Sequence, residues 1–160
     1  MMRIGQGFDV HQLVADRPLV LAGVEIPFER GLEGHSDGDA LLHAVSDAIL
    51  GAIGAGDLGR HFPSSDERWH GVAGGEILTQ VVAKMAEAGY AIGNVDATII
   101  AQAPRLEPHQ KAMHENLAGL LGVSPVRVNL KVTSTDELGA IGRGEGIAGM
   151  AVVLLEEARA

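Results

Sequence analysis

The stretch that most constrains this chain is Arg-Ile-Gly-Gln-Gly-Phe-Asp-Val-His, residues 3–11, in which the residue character alternates with a period of two. That period is the signature of a strand, so Ile4, Phe8 and Val10 share one face and Gly5, Gly7, Asp9 and His11 the other. Two residues apart on one face, Asp9 and His11 project together and are close enough to share one ion.

The remaining pattern mixes two periods. Leu19–Ala22 and Val24–Ile26 flank Gly23 and predict a short hairpin or bent edge, and residues 27–39 carry turn residues with little apolar periodicity. Leu42, Val45, Ile49 and Ile53 recur at helical spacing from Asp39 onward, with Ser36 or Asp37 as the expected cap. Residues 54–71 are irregular and polar, long enough to suggest a mobile lid or binding loop. Ile77, Val81, Met85 and Ala88 mark a second helix ending at Gly89. Val95, Ala97, Ile99 and Ala101 alternate as a strand. Pro108 opens a third helix with the face Met113, Leu117, Leu120 and Leu121, and Gly122 ends it. Val126, Val128, Leu130 and Val132 predict another strand. Ile147–Leu155 closes the pattern as a nearly continuous apolar strand, expected to be buried on both sides.

Strands and helices in this mixed order imply one sheet with helices packed on one face. Few residues remain to cover the other face, so self-association through it is the expected solution. The 160 residues fit one domain, residues 1–160.

Composition narrows the chemistry. With no cysteine and seven histidines, a transition metal must be held by His and carboxylate. A formal net charge of -9 argues against a nucleic-acid surface. The longest apolar run, Met150–Leu155, is far short of the roughly 20 residues of a membrane span. The N-terminal residues lack the order of a secretory signal, so a cytoplasmic protein is expected. There are 22 glycines against three Phe, one Trp and one Tyr, so a nucleobase would be read by backbone groups rather than by aromatic stacking.

Asp39, His43 and Asp47 lie at i, i+4 and i+8 and form one polar stripe on the first helix. If that helix packs beside the first strand, His43 joins Asp9 and His11, and Asp39 or Asp47 accepts its other ring N–H. Two histidines and one carboxylate leave a tetrahedral position open, the pattern of catalytic zinc. From spacing alone, a hydrogen-bonded strand end and a solvated helix histidine fit these residues equally well. His35-Ser36-Asp37-Gly38-Asp39 precedes a helix N-terminus, which favours a phosphate, although a plain capping loop reads the same way. Lys131-Val132-Thr133-Ser134-Thr135-Asp136 ends a strand in hydroxyls and a carboxylate able to meet phosphate or Mg2+, or to serve as turn chemistry. Gly142-Arg143-Gly144-Glu145-Gly146 is a weak phosphate loop or a bulged strand entrance.

Taken together, residues 3–11, 35–44 (His-Ser-Asp-Gly-Asp-Ala-Leu-Leu-His-Ala), 56–59 (Gly-Asp-Leu-Gly), 93–105 and 142–148 make the chain resemble the 2-C-methyl-D-erythritol 2,4-cyclodiphosphate synthase family of the non-mevalonate isoprenoid pathway. The resemblance implies an α+β, two-layer subunit in a homotrimer, with sheets packed around a threefold axis and active sites between subunits. It implies Zn2+ on Asp9, His11 and His43, and a second divalent cation, Mg2+ or Mn2+, near Asp136. His35 and Ser134 are implied as the catalytic contacts to phosphate, with Val10, Ser36, Thr135 and Arg143 also among the substrate contacts. Cytosine is implied against the segment Ala101, Gln102, Ala103, Pro104, Arg105 and Leu106, with Thr133 nearby. Ribose falls to Asp57, Leu58 and Gly59, and a flexible substrate loop to Phe62, Pro63, Ser64, Ser65 and Asp66. Ser134 and Asp136 stand where the family pattern has Thr and Glu. Ala140 replaces an aromatic residue beside a central cavity that in relatives takes isoprenoid diphosphates near Arg143 and Glu145.

The implied substrate is a cytidine diphosphate-linked sugar-alcohol phosphate, cyclised with loss of CMP. Two other classes are compatible with the residues: a zinc-dependent phosphoester hydrolase, and a non-catalytic trimeric ligand-binding protein using Arg143, Glu145 and the last strand.

Overall fold

The first strand organises the molecule. In the computed structural model, which describes residues 1–158, it extends as β1 over Met2–Ala15 and pairs antiparallel with β7 (Gly146–Glu157), Met2 opposite Glu156 and Gln12 opposite Gly146. β5 (Tyr90–Ile100) pairs with the other edge of β7, and β6 (Val128–Thr133) runs parallel to β5. With the short strand β4 (Arg30–Leu32) on β1, the sheet order is β4-β1-β7-β5-β6, and only the β5–β6 pair is parallel. That pair requires a crossover, which α4 (Gln110–Leu121) supplies. β2 (Leu19–Leu21) and β3 (Val24–Ile26) form a separate hairpin around Ala22-Gly23.

The helix α1 (Ala40–Ile53) lies close across β1 and β7 because both strands carry glycines beneath it. A Cβ built on Gly5, Gly7 or Gly149 would overlap the carbonyl oxygens of Ala48, Ala44 and Ala40 in turn. An alanine ridge spaced at i, i+4 and i+8 thus seats in a glycine groove, backbone against backbone. α3 (Gly74–Glu87) and α4 flank α1, and Leu41, Leu42, Ile49, Leu50, Leu78, Met113 and Leu117 fill the core between them and the sheet. Gly89 and Gly122 adopt left-handed backbone just past α3 and α4, as expected of glycines that end helices.

One mixed sheet with helices on one face agrees with the sequence reading; six details differ. Asp39, rather than Ser36 or Asp37, caps α1, its carboxylate accepting from Leu42 N–H at 3.1 Å. α1 is buried almost all round, so Asp39, His43 and Asp47 are not a simple polar stripe. The loop 27–39 contains β4, too short to show alternation. Val126 is exposed, because Pro125 starts a single 3-10 turn that delays β6 until Val128. β7 is buried on one face only: Met150 and Val152 point outward beside Ile4, which is 72 % exposed, and Phe8, 54 % exposed. Residues 54–71 are less irregular than expected, holding α2 (Leu58–His61) and a 3-10 turn at Glu67–Trp69. No helix among the described residues is long and apolar enough to cross a membrane.

Candidate metal centre and substrate site

Asp9 and His11 leave β1 on the face that α1 covers, and the seating of α1 in the glycine groove lowers His43 onto them. Asp9 Oδ2 lies 2.7 Å from His11 Nε2 and 2.9 Å from His43 Nδ1, and the two ring nitrogens are 3.1 Å apart. Among the described residues, this is the only group of three or more His, Asp or Glu side chains whose ligand atoms converge closely enough for one ion.

The outer nitrogens decide what the inner ones offer. His11 Nδ1 faces the Glu33 carbonyl oxygen, which can only accept, so in the neutral ring that nitrogen carries the proton and Nε2 is left with the inward lone pair. His43 Nε2 donates to Ser36 Oγ at 3.1 Å, leaving Nδ1 as the inward atom. Two lone pairs and a carboxylate oxygen aimed at one point fit a divalent cation. They also match the ligand set of a zinc site with an open position.

Charge supports the same picture. Burial alone would raise the Asp9 carboxyl, but hydrogen bonds and charge from His11 and His43 outweigh it and hold Asp9 well below the usual carboxylate range. Burial would lower His11, yet the Asp9 hydrogen bond and charge, helped by Glu33, raise it above its ordinary value. Asp47, one turn along α1, is pushed up by burial despite accepting Leu58 N–H at 2.8 Å.

A cavity of about 250 Å3 opens on the cluster. His35, Ser36 and Asp47 contribute polar wall, Leu58, Phe62, Trp69 and Ile77 apolar wall, and Ser64 completes the lining. Phe62 and Trp69 meet edge to face at 4.9 Å. His35 Nε2 and Trp69 Nε1 are buried without a hydrogen-bond partner among the described residues, unusual for buried polar atoms and consistent with partners supplied by a ligand.

A second hollow, about 560 Å3, lies where β5 and β6 end. Ala101, Gln102, Pro104, Arg105 and Leu106 form one side, Val132, Thr133 and Ser134 the other, with Glu107 and Gln110 between. Gln102 Oε1 accepts Glu137 N–H at 3.1 Å, tying the two sides together. Ser134 Oγ donates to Asp136 Oδ1 at 3.1 Å.

The sequence-predicted residues therefore fall into two groups. Asp9, His11, His43, His35, Ser36, Leu58, Phe62 and Ser64 share the first cavity, whereas Ala101 to Leu106 (Ala103 excepted), Thr133 and Ser134 share the second. Asp57 caps α2, accepting from Arg60 N–H at 3.0 Å, and Gly59 follows in its first turn. Pro63, Ser65 and Asp66 belong to the adjoining loop but line neither cavity, and Asp66 is spent on Arg68 at 2.6 Å. Thr135 Oγ1 donates to the Leu138 carbonyl, and Thr135 and Asp136 lie just beyond the second hollow. No second His, Asp or Glu cluster gathers at Asp136 among the described residues. Val10 projects from the opposite sheet face and is exposed, and Arg143 pairs with Glu145 at 2.6 Å away from both cavities.

Asp39 is not His43's partner: its carboxylate takes the N–H groups of Ala22 (3.1 Å), Gly23 (2.7 Å) and Leu42. Asp47 is likewise engaged with Leu58, and Ser36 fills the role expected of them. Trp69 and Ile77 were not anticipated as cavity walls; the single Trp of the chain inside an otherwise polar loop was the available signal.

Fold and site together define the class: an α+β protein whose sheet and covering helix bring together three residues that could hold a metal ion, beside a cavity. Residues 2–156 match the YgbB family, and the chain belongs to it. The 2-C-methyl-D-erythritol 2,4-cyclodiphosphate synthase of Geotalea uraniireducens (strain Rf4) is 59% identical, covering 97% of this chain and 99% of its own length. The bifunctional IspDF of Campylobacter jejuni superposes with a TM-score of 0.94 at 43% identity, covering 98% of this chain, which spans only 42% of that longer protein. A 2C-methyl-D-erythritol-2,4-cyclodiphosphate synthase in its CDP-bound form superposes with a TM-score of 0.89 at 36% identity, covering 96% of this chain and 100% of its own. Cyclodiphosphate synthesis, in the non-mevalonate route to isoprenoids, is accordingly the activity of this chain.

Proposed function

We propose that the chain converts 4-diphosphocytidyl-2-C-methyl-D-erythritol 2-phosphate to 2-C-methyl-D-erythritol 2,4-cyclodiphosphate, holding Zn2+ on Asp9, His11 and His43. The observation that carries this is the convergence of those three ligand atoms in the cavity that His35 and Ser36 also line. The substrate 2-phosphate attacks the β-phosphorus, a new P–O bond closes the ring, and the P–O bond to CMP breaks. A phosphate monoester is already largely ionised at neutral pH, its second pKa being about 6, so the step needs neither a protein nucleophile nor a strong base. Positioning and charge neutralisation carry the catalysis.

Zinc bound at the three ligands supplies positive charge that orients and neutralises a phosphate oxygen. His35 Nε2, buried with no hydrogen-bond partner among the described residues, would hold a second phosphate oxygen. Backbone groups of residues 101–106 receive cytosine, with Thr133 beside them; Ser134 holds phosphate, and Asp57 and Gly59 take the ribose. The loop from Phe62 to Asp66 covers the substrate and excludes water. Asp136 offers one carboxylate that would hold a Mg2+ or Mn2+ ion, whose charge would help neutralise the phosphates. These bound ions also reconcile a protein of net charge -9 with an anionic substrate.

The working unit in this reading is a homotrimer. Its support is the uncovered sheet face bearing Ile4, Phe8, Val10, Met150 and Val152, together with the two separate cavities. The two cavities are separate in one chain, and in the trimer reading a neighbouring subunit brings the second cavity of one chain to the metal centre of another.

Incubation with the cytidylyl substrate and Mg2+, followed by mass analysis, tests the proposal. Cyclisation gives CMP and a cyclic diphosphate, whereas an open-chain phosphate carrying a solvent oxygen would identify a hydrolase. His43→Ala should abolish both zinc binding and CMP release, and retention of both would overturn the site.

A further inference from the structure

We infer that Arg17 is a positioning residue for the reaction, one whose guanidinium braces the peptide on either side of His35 and so fixes His35 and Ser36 against the cavity. The inference rests on the cyclisation reading above and assigns a role to a residue outside the metal centre and outside both cavities.

Residues 33–36 belong to no strand or helix, yet each of their carbonyl oxygens is occupied. Glu33 O faces His11 Nδ1, Gly34 O accepts from Arg17 Nη1 at 3.1 Å, His35 O accepts from Gly71 N–H at 2.7 Å, and Ser36 O accepts from Arg17 Nη2 at 2.8 Å. Loops ordinarily leave such groups to water, which allows them to move. Here one rigid, planar fork takes the first and third carbonyls of the Gly34-His35-Ser36 unit and so sets their separation.

The brace is itself anchored. A Cβ on Gly31 of β4 would overlap the Pro18 carbonyl oxygen, so the backbone at the base of the Arg17 side chain lies directly against the sheet edge. What the brace holds is the part of the chain that the chemistry uses. His35 presents a buried Nε2 with no protein partner, its ring meeting the edge of His70 at 4.9 Å, and Ser36 Oγ receives His43 Nε2. A lysine carries a single point of attachment and cannot span both carbonyls in this way.

The test is Arg17→Met, which keeps the aliphatic stem and removes the fork. Assayed at saturating zinc and with a thermal midpoint near wild type, kcat should fall about 10- to 100-fold, the range seen when groups that orient a site are lost. Arg17→Lys should recover only part of this, and it carries the test if the Met variant does not fold. In a His35→Asn background the Arg17→Met change should cost clearly less than it does in wild type, because the part of its effect that passes through His35 is already lost. Loss of protection from hydrogen exchange at the Gly71 amide should accompany the change. A kcat within about twofold of wild type, an equal loss with and without His35, or an unchanged Gly71 amide would overturn the inference. Failure of the cyclisation reading looks different: the unmutated protein releases no CMP, while the Gly71 amide still reports the brace.

Discussion

Gly7 lies directly beneath Ala44, so closely that a Cβ on Gly7 would overlap the Ala44 carbonyl oxygen. His43 is the neighbour of Ala44, so the approach that forbids a side chain at Gly7 also sets the height of His43 above Asp9 and His11. The overlapping atoms are backbone, which cannot rotate aside as a side-chain tip can. Gly7→Ala should therefore lift α1 and destabilise the fold by about 3 kcal/mol, at the upper end of overpacking effects. It should weaken zinc binding in the same protein. Denaturant unfolding and metal analysis check both, and a variant with unchanged zinc affinity would show that α1 does not set the ligand geometry.

Ser36, rather than the expected Asp39 or Asp47, orients His43, whose Nε2 it receives at 3.1 Å. Its hydroxyl also accepts the Gly38 amide at 3.3 Å, so Ser36→Ala leaves two donors unsatisfied in a buried place. Zinc affinity should drop about 10- to 100-fold, measured by competition with a chelator. Asp39→Asn, by contrast, should act on stability through the α1 cap and the hairpin amides of Ala22 and Gly23, with a smaller effect on zinc.

The raised His11 gives opposite pH responses with and without metal. Asp9 favours the imidazolium, so the metal-free fold gains stability from His11 that is fully present below its ordinary 6.5 and is lost as pH rises through its higher folded value. Zinc needs the neutral ring, so protons compete with it across that same window, which begins above 6.5. Chelator competition from about pH 8 down to about pH 5.5 should show affinity falling up to tenfold per unit once His11 protonates. Thermal melts of the metal-free protein over this range should move the other way. A pH-independent zinc affinity would remove His11 from the ligand set.

How much of this could be read from residues alone depended on whether the physics was local. Alternation along residues 3–11 and the i, i+4 spacing of Asp39, His43 and Asp47 are local, and they brought Asp9, His11 and His43 to notice. The partner of His43 was not legible. Asp39 and Asp47 had the right spacing, but which acceptor faces Nε2 depends on how the loop 33–36 folds back, and that is set by Arg17 and Gly71 from distant parts of the chain. Val126 continued an alternation that Pro125 interrupts, a case of backbone restriction overriding side-chain pattern. The reading of β7 as buried on both sides confused two situations that give the same sequence. Met150 and Val152 are apolar whether their cover comes from this chain or from another.

That ambiguity leads to the most direct test of the assembly. Val152 sits mid-strand on β7, 46 % exposed, opposite Gln6 of β1 and Asp96 of β5. On an isolated subunit a lysine there would be solvated and nearly neutral for stability, since surface changes usually stay within about 0.5 kcal/mol. Packed between sheets in a trimer, the same lysine would be a buried charge whose opposite neighbour Asp96 is already paired with Lys131 at 2.6 Å, a cost that association cannot readily absorb. Val152→Lys should therefore leave a folded subunit with an intact Asp9, His11 and His43 cluster that sediments as a monomer. CMP release should be lost with the trimer if residues 101–106 reach the metal from a neighbour. Sedimentation velocity, zinc content and product assay on one preparation separate the outcomes: a monomer that still turns over would place the complete site within one chain, and a trimer that survives the lysine would move the interface elsewhere.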